Sequence, residues 1–189
     1  MPGWANSNKC EDVKRYALSL ISNGTICTVV IAANWNSYFL MNKLRLGDKD
    51  LNYYAVKDSQ RFPLSNGAGI QVALENLENW IASIPRQIRV ILLTDNPGDI
   101  HFDPNDIIQR NITSGLVRIN SDQQWVSDQL INIADRQHVE HVSPSKWYCS
   151  SNYCEILSGG KPIYKDVNHL TASFVRQFAV DIDDLLVCR

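Results

Sequence analysis

The stretch SNGTICTVVIAANW, residues 22–35, contains the pattern on which the fold class depends. Its turn residues Asn23 and Gly24 end a segment with apolar side chains at helical spacing, namely Val13, Tyr16, Ala17, Leu20 and Ile21. The run that follows is continuous, apolar and rich in β-branched residues, which is typical of a strand buried on both faces. The sequence therefore predicts a helix and then a buried strand over residues 26–33.

The same order of helix and strand recurs further along the chain. A second helix face, which Pro85 ends, consists of Ile70, Leu74, Leu77, Ile81 and Ile84. The run IRVILLT at residues 88–94 then predicts a second buried strand, and a third helix over 123–136 precedes a weaker strand at 138–144. Buried strands that alternate with amphipathic helices predict an α/β fold, with a mostly parallel sheet and helices on both faces.

The segments between these units are expected to be irregular. Residues 40–68 and 95–121 carry most of the Pro, Gly, Asn and Asp residues, which indicates surface excursions within one domain. Near the end of the chain, Gly159 and Gly160 lie between two short extended segments and predict a hairpin.

Composition excludes several classes of protein. With 189 residues, 44% of them hydrophobic and 20% charged, the chain is predicted to be a single domain over residues 1–189. The 18 Lys and Arg residues are scattered and the net charge is -2, so we expect no nucleic acid partner. No apolar run approaches the roughly 20 residues that span a bilayer, and no signal-like stretch is present, so the printed chain is expected to be soluble.

The five cysteines allow more than one interpretation. Cys149 and Cys154 are separated by SSNY, which can turn back sharply enough for the two sulfurs to meet in a disulfide. Two free thiols are the alternative, and a zinc site lacks a second ligand pair at suitable spacing. Cys10, Cys27 and Cys188 have no evident mates, and Cys27 is predicted to be a small core residue.

Two segments are expected at the C-terminal ends of strands, where parallel α/β sheets collect their active groups. They are IAANWNSY, after the first predicted strand, and YKDVNHLT, which leads into a last helix that packs through Leu170, Phe174, Phe178 and Ile182. Within the second segment, Asp166 and His169 are three residues apart, so the carboxylate can accept the imidazole Nδ1–H and leave Nε2 as a base. The alternative is that Asp166 caps the helix.

The other histidines give no site. His138 and His141 belong to a predicted strand, where residues three apart face opposite sides and cannot share a metal ion. His101 stands alone in a loop rich in Pro and Asp. No metal ion or cofactor is therefore expected.

The chain resembles the SGNH hydrolase superfamily, and within it the extracytoplasmic SGNH domain of bacterial O-acetyltransferases that modify lipopolysaccharide or peptidoglycan. The matching elements follow in family order: Cys10 before a helix, VVIAANW, VILLTDNP, WYCSSNYCEI, GKPIYKD and DVNHLTASFVRQFA. The resemblance implies a flavodoxin-like, three-layer α/β/α fold. It also implies a membrane acyltransferase domain in the parent proteins and a location on the periplasmic or extracellular face of a bacterial membrane.

The resemblance also implies roles for individual residues. His169 matches the family's catalytic base, and Asp166 matches the acid that orients it. Asn34 matches the block whose asparagine donates to the oxyanion, although Ala32 and Trp35 replace that block's glycine and aspartate. Cys149 and Cys154 match a cysteine pair ahead of the catalytic loop, where a disulfide would stiffen the loop that carries Asp166.

One block of the family is missing from the printed sequence. The superfamily's nucleophile is a serine in a Gly-Asp-Ser block after the first strand, and no such block occurs here. The resemblance therefore implies that the first strand or strands are absent. We then expect the strand over residues 26–33 to lie at or beside an exposed sheet edge, and the isolated chain to be prone to self-association. Ser65 is a poor substitute, because the segment before it is not a buried strand that would place it on a sharp turn. Ser37 follows the strand over residues 26–33, but its neighbours Asn36 and Tyr38 are bulky.

Two functions are compatible with these observations. The first is the C-terminal part of an SGNH-type O-acyltransferase or esterase domain that acts on acyl groups of cell-envelope carbohydrate, with the serine supplied by a segment not present here. The second is a non-catalytic carbohydrate-binding or accessory module of the same fold. In that module, aromatic residues would line a sugar site, namely Trp35, Tyr38, Tyr53, Tyr54 and Trp147.

Overall fold

The computed structural model of the protein describes residues 7–24, 26–44, 53–65, 67–179, 183 and 187–188. The helices in this part of the chain are α1 (Ser7–Ser22), α2 (Trp35–Leu44), α3 (Gly67–Ala82), α4 (Pro104–Gln109), α5 (Ser121–Gln137) and α6 (Ala172–Val175). The strands are β1 (Thr28–Ile31), β2 (Tyr54–Lys57), β3 (Gln60–Pro63), β4 (Arg89–Leu93), β5 (Leu116–Arg118), β6 (Glu140–Val142), β7 (Cys149–Ser150), β8 (Tyr153–Glu155), β9 (Leu157–Ser158) and β10 (Lys161–Pro162).

In the part of the chain that the structure describes, the central sheet consists of three parallel strands in the order β1-β4-β6. The register pairs Val30 with Ile91 and Ile91 with Glu140. Helices lie between these strands along the chain, as parallel pairing requires. The predicted α/β class with a mostly parallel sheet is therefore confirmed.

The larger hydrophobic core contains side chains from the central sheet together with side chains from α2, α3 and α5. Val90 and Leu92 contribute from β4, and Leu130 and Ile133 from α5. At the surface, Arg136 of α5 donates two hydrogen bonds to the carboxylate of Glu78 in α3, at 2.8 and 2.7 Å. This bidentate ion pair joins two of the helices that cover the core.

The segments predicted to be irregular contain regular elements. Residues 40–68 include the antiparallel hairpin β2–β3, in which Asp58 and Ser59 turn with positive φ. Residues 95–121 include α4 and β5, and β5 pairs with β8 in a small antiparallel sheet of order β5-β8-β7. The hairpin β2–β3 and the strand β5 were missed because these strands are short and largely exposed, so that none of them shows a continuous apolar run. The hairpin predicted at Gly159–Gly160 is present as β9–β10.

The last helix begins where the sequence predicted it, and beyond its first turns Ala179 and Asp183 are also helical among the described residues. Thr171 caps α6, which has four residues and continues as a single 3-10 turn over Arg176–Phe178. Leu170, Phe174 and Phe178 pack in the second core as expected, against side chains that include Tyr148 and Tyr164. Ile182 lies outside the described residues.

Disulfides correct the interpretation of two cysteines. Cys27 is bonded to Cys188, with 5.5 Å between their Cα atoms, so the prediction that these residues have no mates and that Cys27 is a simple core residue was wrong. The two are 161 residues apart, a separation that no local sequence pattern can connect. The side chain of Cys10 lies outside the described part of the chain. Among the described helices, none has the length and hydropathy that crossing a membrane requires.

Candidate functional site

Asp166 and His169 are in direct contact. His169 Nδ1 lies 2.9 Å from each carboxylate oxygen of Asp166, and Oδ1 also accepts the backbone N–H groups of Asn168 and His169, at 3.1 and 2.8 Å. Thr171, and not Asp166, caps the following helix, so the alternative role of Asp166 as a helix cap is excluded. The pair instead forms a tight turn ahead of α6.

The electrostatics of this turn keep Asp166 ionised. Partial burial works to raise its pKa, but the two amide hydrogen bonds and the contact with His169 together lower the pKa below its usual value. The carboxylate is therefore charged at neutral pH and can orient the imidazole through Nδ1–H. The His169 side chain is 62% exposed, and among the described residues Nε2 has no hydrogen-bond partner. The imidazole thus has one nitrogen fixed and the other available.

The loop that leaves β4, residues 94–99, holds this turn in place. Asn96 Nδ2 donates to the Asn168 carbonyl at 2.6 Å, and the Asp99 amide donates to the Val167 carbonyl at 2.9 Å. A Cβ at Gly98 would approach Asn168 Cβ to 3.1 Å, so glycine allows the two segments to lie close together. Because β4 belongs to the parallel sheet, the turn with Asp166 and His169 lies at the C-terminal edge of that sheet.

The same loop also holds the start of α2. The Asp95 carboxylate accepts the Asn36 amide at 2.6 Å, and Trp35 Nε1 donates to the Leu93 carbonyl at 2.8 Å. Burial raises the pKa of Asp95 to about 7, although hydrogen bonds from the amides of Asn36 and Trp35 act in the opposite direction. Loop 94–99 therefore connects the segment after β1 with the turn that carries His169.

Asn34 lies between β1 and α2, at the same edge of the sheet. Its Oδ1 accepts the Ser37 amide at 3.2 Å, so the residue caps α2. Its side chain is otherwise exposed, and Nδ2 has no hydrogen-bond partner among the described residues. Asn34 thus has the helix-capping role that its position suggests and retains a free donor.

Neither alternative serine is coupled to the histidine. Ser37 is in the first turn of α2, and Ser65 lies in the turn after β3. Within the described ranges, neither hydroxyl makes a hydrogen bond to His169. The described residues therefore contain a paired carboxylate and imidazole, Asp166 and His169, but no serine bonded to that pair.

Buried tyrosines anchor the chain just before Asp166. The Tyr164 hydroxyl donates to the Pro97 carbonyl, so the Tyr148 hydroxyl, 2.6 Å away, must donate to Tyr164. Burial raises the pKa of both phenols, which keeps them neutral donors. Next to Tyr148, Cys149 is joined by a disulfide to Cys154, its directly opposite partner on β8.

The remaining candidates take structural roles. His138 ends α5 in a left-handed conformation, and His141 approaches Asp135 only to 4.0 Å. In the ranges that the structure describes, no group of three His, Cys, Asp or Glu side chains could hold a metal ion. The aromatic residues suggested for a sugar site largely pack against protein: Trp35 is buried, Trp147 stacks on Phe178, and Tyr38 meets Tyr53 edge to face.

Sequence reasoning missed the loop after β4. Active groups of parallel α/β sheets lie after the C-terminal ends of strands, and this rule was used for the first predicted strand and for the last loop. It was not used for TDNP, which directly follows the second buried strand. The missed residues are Thr94, Asp95, Asn96 and Pro97, and the same rule would have found them.

The fold and site together define an α/β domain with a hydrogen-bonded Asp–His pair at the C-terminal edge of a parallel sheet. The family model of the SGNH domain that is fused to AT3 domains matches residues 1–184. The chain belongs to this family and is an SGNH module associated with acyltransferases. The comparison with curated proteins found no match.

Proposed function

We propose that the chain is the C-terminal part of an SGNH-type O-acyltransferase or esterase domain. Residues 1–189 form a single, partial domain of this type. The complete domain acts on acetyl or other acyl groups of cell-envelope carbohydrate. His169 is the general base and Asp166 is the acid that orients it. A Gly-Asp-Ser segment, which the printed sequence lacks, supplies the nucleophile. The observation that carries the proposal is the contact of Asp166 with His169 Nδ1, which leaves Nε2 available.

The proposed reaction has two steps. In the first, the serine Oγ attacks the acyl carbonyl and its proton passes to His169 Nε2, while Asp166 stabilises the imidazolium. Asn34 Nδ2 donates to the oxyanion, and collapse of the intermediate releases the first alcohol, which takes the proton from His169. In the second step, His169 takes a proton from a sugar hydroxyl or water, whose oxygen attacks the acyl-enzyme carbonyl. Collapse of this intermediate breaks the bond to the serine Oγ, which takes the proton back from His169, and releases the acylated sugar or the free acid. Protein side chains suffice for both steps, so no cofactor is proposed.

The partners and location follow from the family. Association with AT3 domains supports a membrane acyltransferase domain as the partner. An acylated sugar is the substrate that we propose with it. The two disulfides support an oxidising compartment, because such bonds rarely persist in the cytosol. We place the chain on the periplasmic or extracellular face of a bacterial membrane.

The function is tested on a longer protein, in which an N-terminal segment ending in Gly-Asp-Ser precedes this chain. We expect hydrolysis of p-nitrophenyl acetate, and a roughly thousandfold lower kcat/KM for His169→Ala, because the serine then has no base. His101→Ala is the matched control, since His101 also contacts a carboxylate, that of Asp106, at 3.0 Å. Equal loss in both variants, or no turnover by the folded protein, would favour the binding module.

Self-association is proposed through the edge of the central sheet. Among the described strands, β1 lies at one edge, and its Val30 side chain is 39% exposed. Light scattering should show an apparent molecular mass that rises with concentration for the wild type. For Val30→Lys the mass should stay at the value of the monomer, because a charge opposes edge pairing. Val56→Lys, at a valine of β2 that is 47% exposed, should behave as the wild type. A monomeric wild type at all concentrations would contradict this proposal.

A further inference from the structure

A cleft of about 520 Å³ lies between the start of α5 and the small antiparallel sheet. Its walls come from α5, the end of β5, the turn before β8 and loop 94–99, and include Trp125, Asp128, Arg118, Asn152 and Asp99. The volume is within the roughly 300–1,000 Å³ of sites for drug-sized ligands, and a disaccharide is a ligand of that size.

The cleft adjoins the segment that carries His169. Asp99, which lines the cleft, donates its backbone amide to the Val167 carbonyl at 2.9 Å. Val167 lies two residues before His169 in the same turn. A molecule in the cleft therefore contacts the loop that holds the proposed base in place.

Trp125 gives the cleft an exposed aromatic wall. The residue is 42% exposed, whereas its neighbours on the other side of α5, Val126 and Leu130, are buried in the larger core. Covering an exposed indole with apolar atoms is favourable, and the C–H face of a sugar ring presents such atoms in a flat arrangement that matches the indole. Trp125 was not among the aromatic residues that the sequence suggested for a sugar site.

Hydrogen-bond donors stand on the other side of the cleft. The side chains of Arg118 and Asn152 are exposed, and within the described ranges neither makes a hydrogen bond or an ion pair to another protein group. The Ile119 amide donates to the Asn152 carbonyl at 2.8 Å, which holds the two donor residues side by side. Both side chains are therefore accessible to a ligand and have fixed backbone positions.

Two carboxylates supply acceptors. Asp99 Oδ1 accepts the His101 amide at 2.9 Å, and Asp128 Oδ1 accepts Gln124 Nε2 at 2.8 Å. Each carboxylate keeps its Oδ2 without a partner in the part of the chain that the structure describes. The cleft thus combines an aromatic face with both donors and acceptors.

This combination restricts the ligand. Two carboxylates against one guanidinium disfavour an anion. A small cation would suit the indole and the carboxylates, but it would leave the donors of Arg118 and Asn152 without acceptors. Sugar hydroxyls both donate and accept, so a neutral sugar can use every group in the lining.

We propose that this cleft binds a neutral disaccharide, with one ring stacked on Trp125 and ring hydroxyls bonded to Arg118 and Asn152. The proposal rests on the proposed function and deepens it, because the disaccharide would belong to the carbohydrate on which the domain acts. Binding is measured on the printed chain without a nucleophile, whereas hydrolysis of p-nitrophenyl acetate in the longer protein needs no sugar. Failure of turnover and failure of sugar binding are therefore separate results.

The test is an NMR titration of the isotope-labelled chain with cellobiose, digalacturonate and choline. Cellobiose is the neutral probe, and its equatorial substituents leave C–H groups on the ring faces. We expect saturable shifts of the Trp125 indole N–H and of the backbone amides at 118–120 and 152 with cellobiose, and weaker binding of the anion and the cation. No saturable shift with cellobiose, or tighter binding of digalacturonate or choline, overturns the proposal.

Variants separate this site from unspecific stacking. Trp125→Ala should bind cellobiose roughly tenfold more weakly, because the stacking face is lost, and its thermal midpoint should stay close to that of the wild type, because the residue is exposed. Tyr16→Ala, at an aromatic residue of α1 that is 65% exposed, is the matched control and should bind as the wild type. Arg118→Ala should also bind roughly tenfold more weakly. Unchanged affinity in Trp125→Ala or in Arg118→Ala, or an equal loss in Tyr16→Ala, contradicts the assignment.

Discussion

The double variant Cys27→Ser/Cys188→Ser is expected to lose about 5 kcal/mol of unfolding free energy, because the disulfide closes a loop of 161 residues and so restricts the unfolded chain. Total stabilities of domains are about 5–15 kcal/mol, so the variant should be close to unfolded at 37 °C. Urea denaturation of the oxidised proteins, followed by tryptophan fluorescence, measures the difference.

The second disulfide provides the control for this experiment. Cys149 and Cys154 are five residues apart, so Cys149→Ser/Cys154→Ser should lose only about 2 kcal/mol by the same loop argument. Equal losses in the two double variants would mean that loop closure does not explain the stabilisation. A Cys27→Ser/Cys188→Ser protein as stable as the wild type would show that these cysteines do not pair.

Asp95→Asn is expected to stabilise the protein strongly above neutral pH. The pKa of Asp95 is about 7 in the folded state, raised by burial from 3.8, so the folded protein holds this proton more tightly than the unfolded chain. Stability therefore decreases as pH rises from about 4 to 7, and the loss is complete above pH 7. A shift of this size corresponds to roughly 4 kcal/mol. The variant should gain up to that amount at pH 8 and little at pH 4, as measured by denaturation at both pH values.

Asp58→Asn is the control for this prediction, since Asp58 is an exposed residue in the turn of β2–β3.

A second carboxylate, that of Glu78, changes stability with the opposite sign at low pH. The hydrogen bond from Arg136 lowers the pKa of Glu78 to about 2, so its contribution is present above pH 4.5 and is lost as pH falls through about 2. An equal effect of Asp95→Asn at pH 4 and pH 8 would contradict the burial of a titrating carboxyl group.

The sequence predicted the elements whose signals are long and apolar. The strand β4 has a continuous apolar run with three consecutive buried residues, and α3 and α5 repeat their apolar residues over four turns, so burial specifies these elements. The apolar run of β1 also predicted a strand, but only Ile31 in it is buried and Val30 is exposed, so the prediction that this strand is buried on both faces was wrong. The hairpin β2–β3 was missed because its turn uses Asp58 and Ser59 in place of glycine. The bond between Cys27 and Cys188 depends on how the whole chain folds, which no local pattern contains.

The site was predicted where its residues are close in sequence. Asp166 and His169 interact across three residues, so their spacing was sufficient to propose the pair. Asp95 accepts a hydrogen bond from Asn36, which is 59 positions away in the sequence, and Asn96 donates one to Asn168, which is 72 positions away. These contacts form only when the strands of the sheet align. Only the three-dimensional structure reveals how loop 94–99 connects the two parts of the site.

The central claim is that His169 activates a serine supplied by a Gly-Asp-Ser segment. It is tested most directly by the rate at which a fluorophosphonate labels that serine in the longer protein, because this reagent reacts with an activated hydroxyl. The account predicts rapid labelling of the Gly-Asp-Ser serine and a roughly thousandfold slower rate in His169→Ala. Equal rates in the two proteins, or rapid labelling of Ser37 or Ser65 instead, would contradict it.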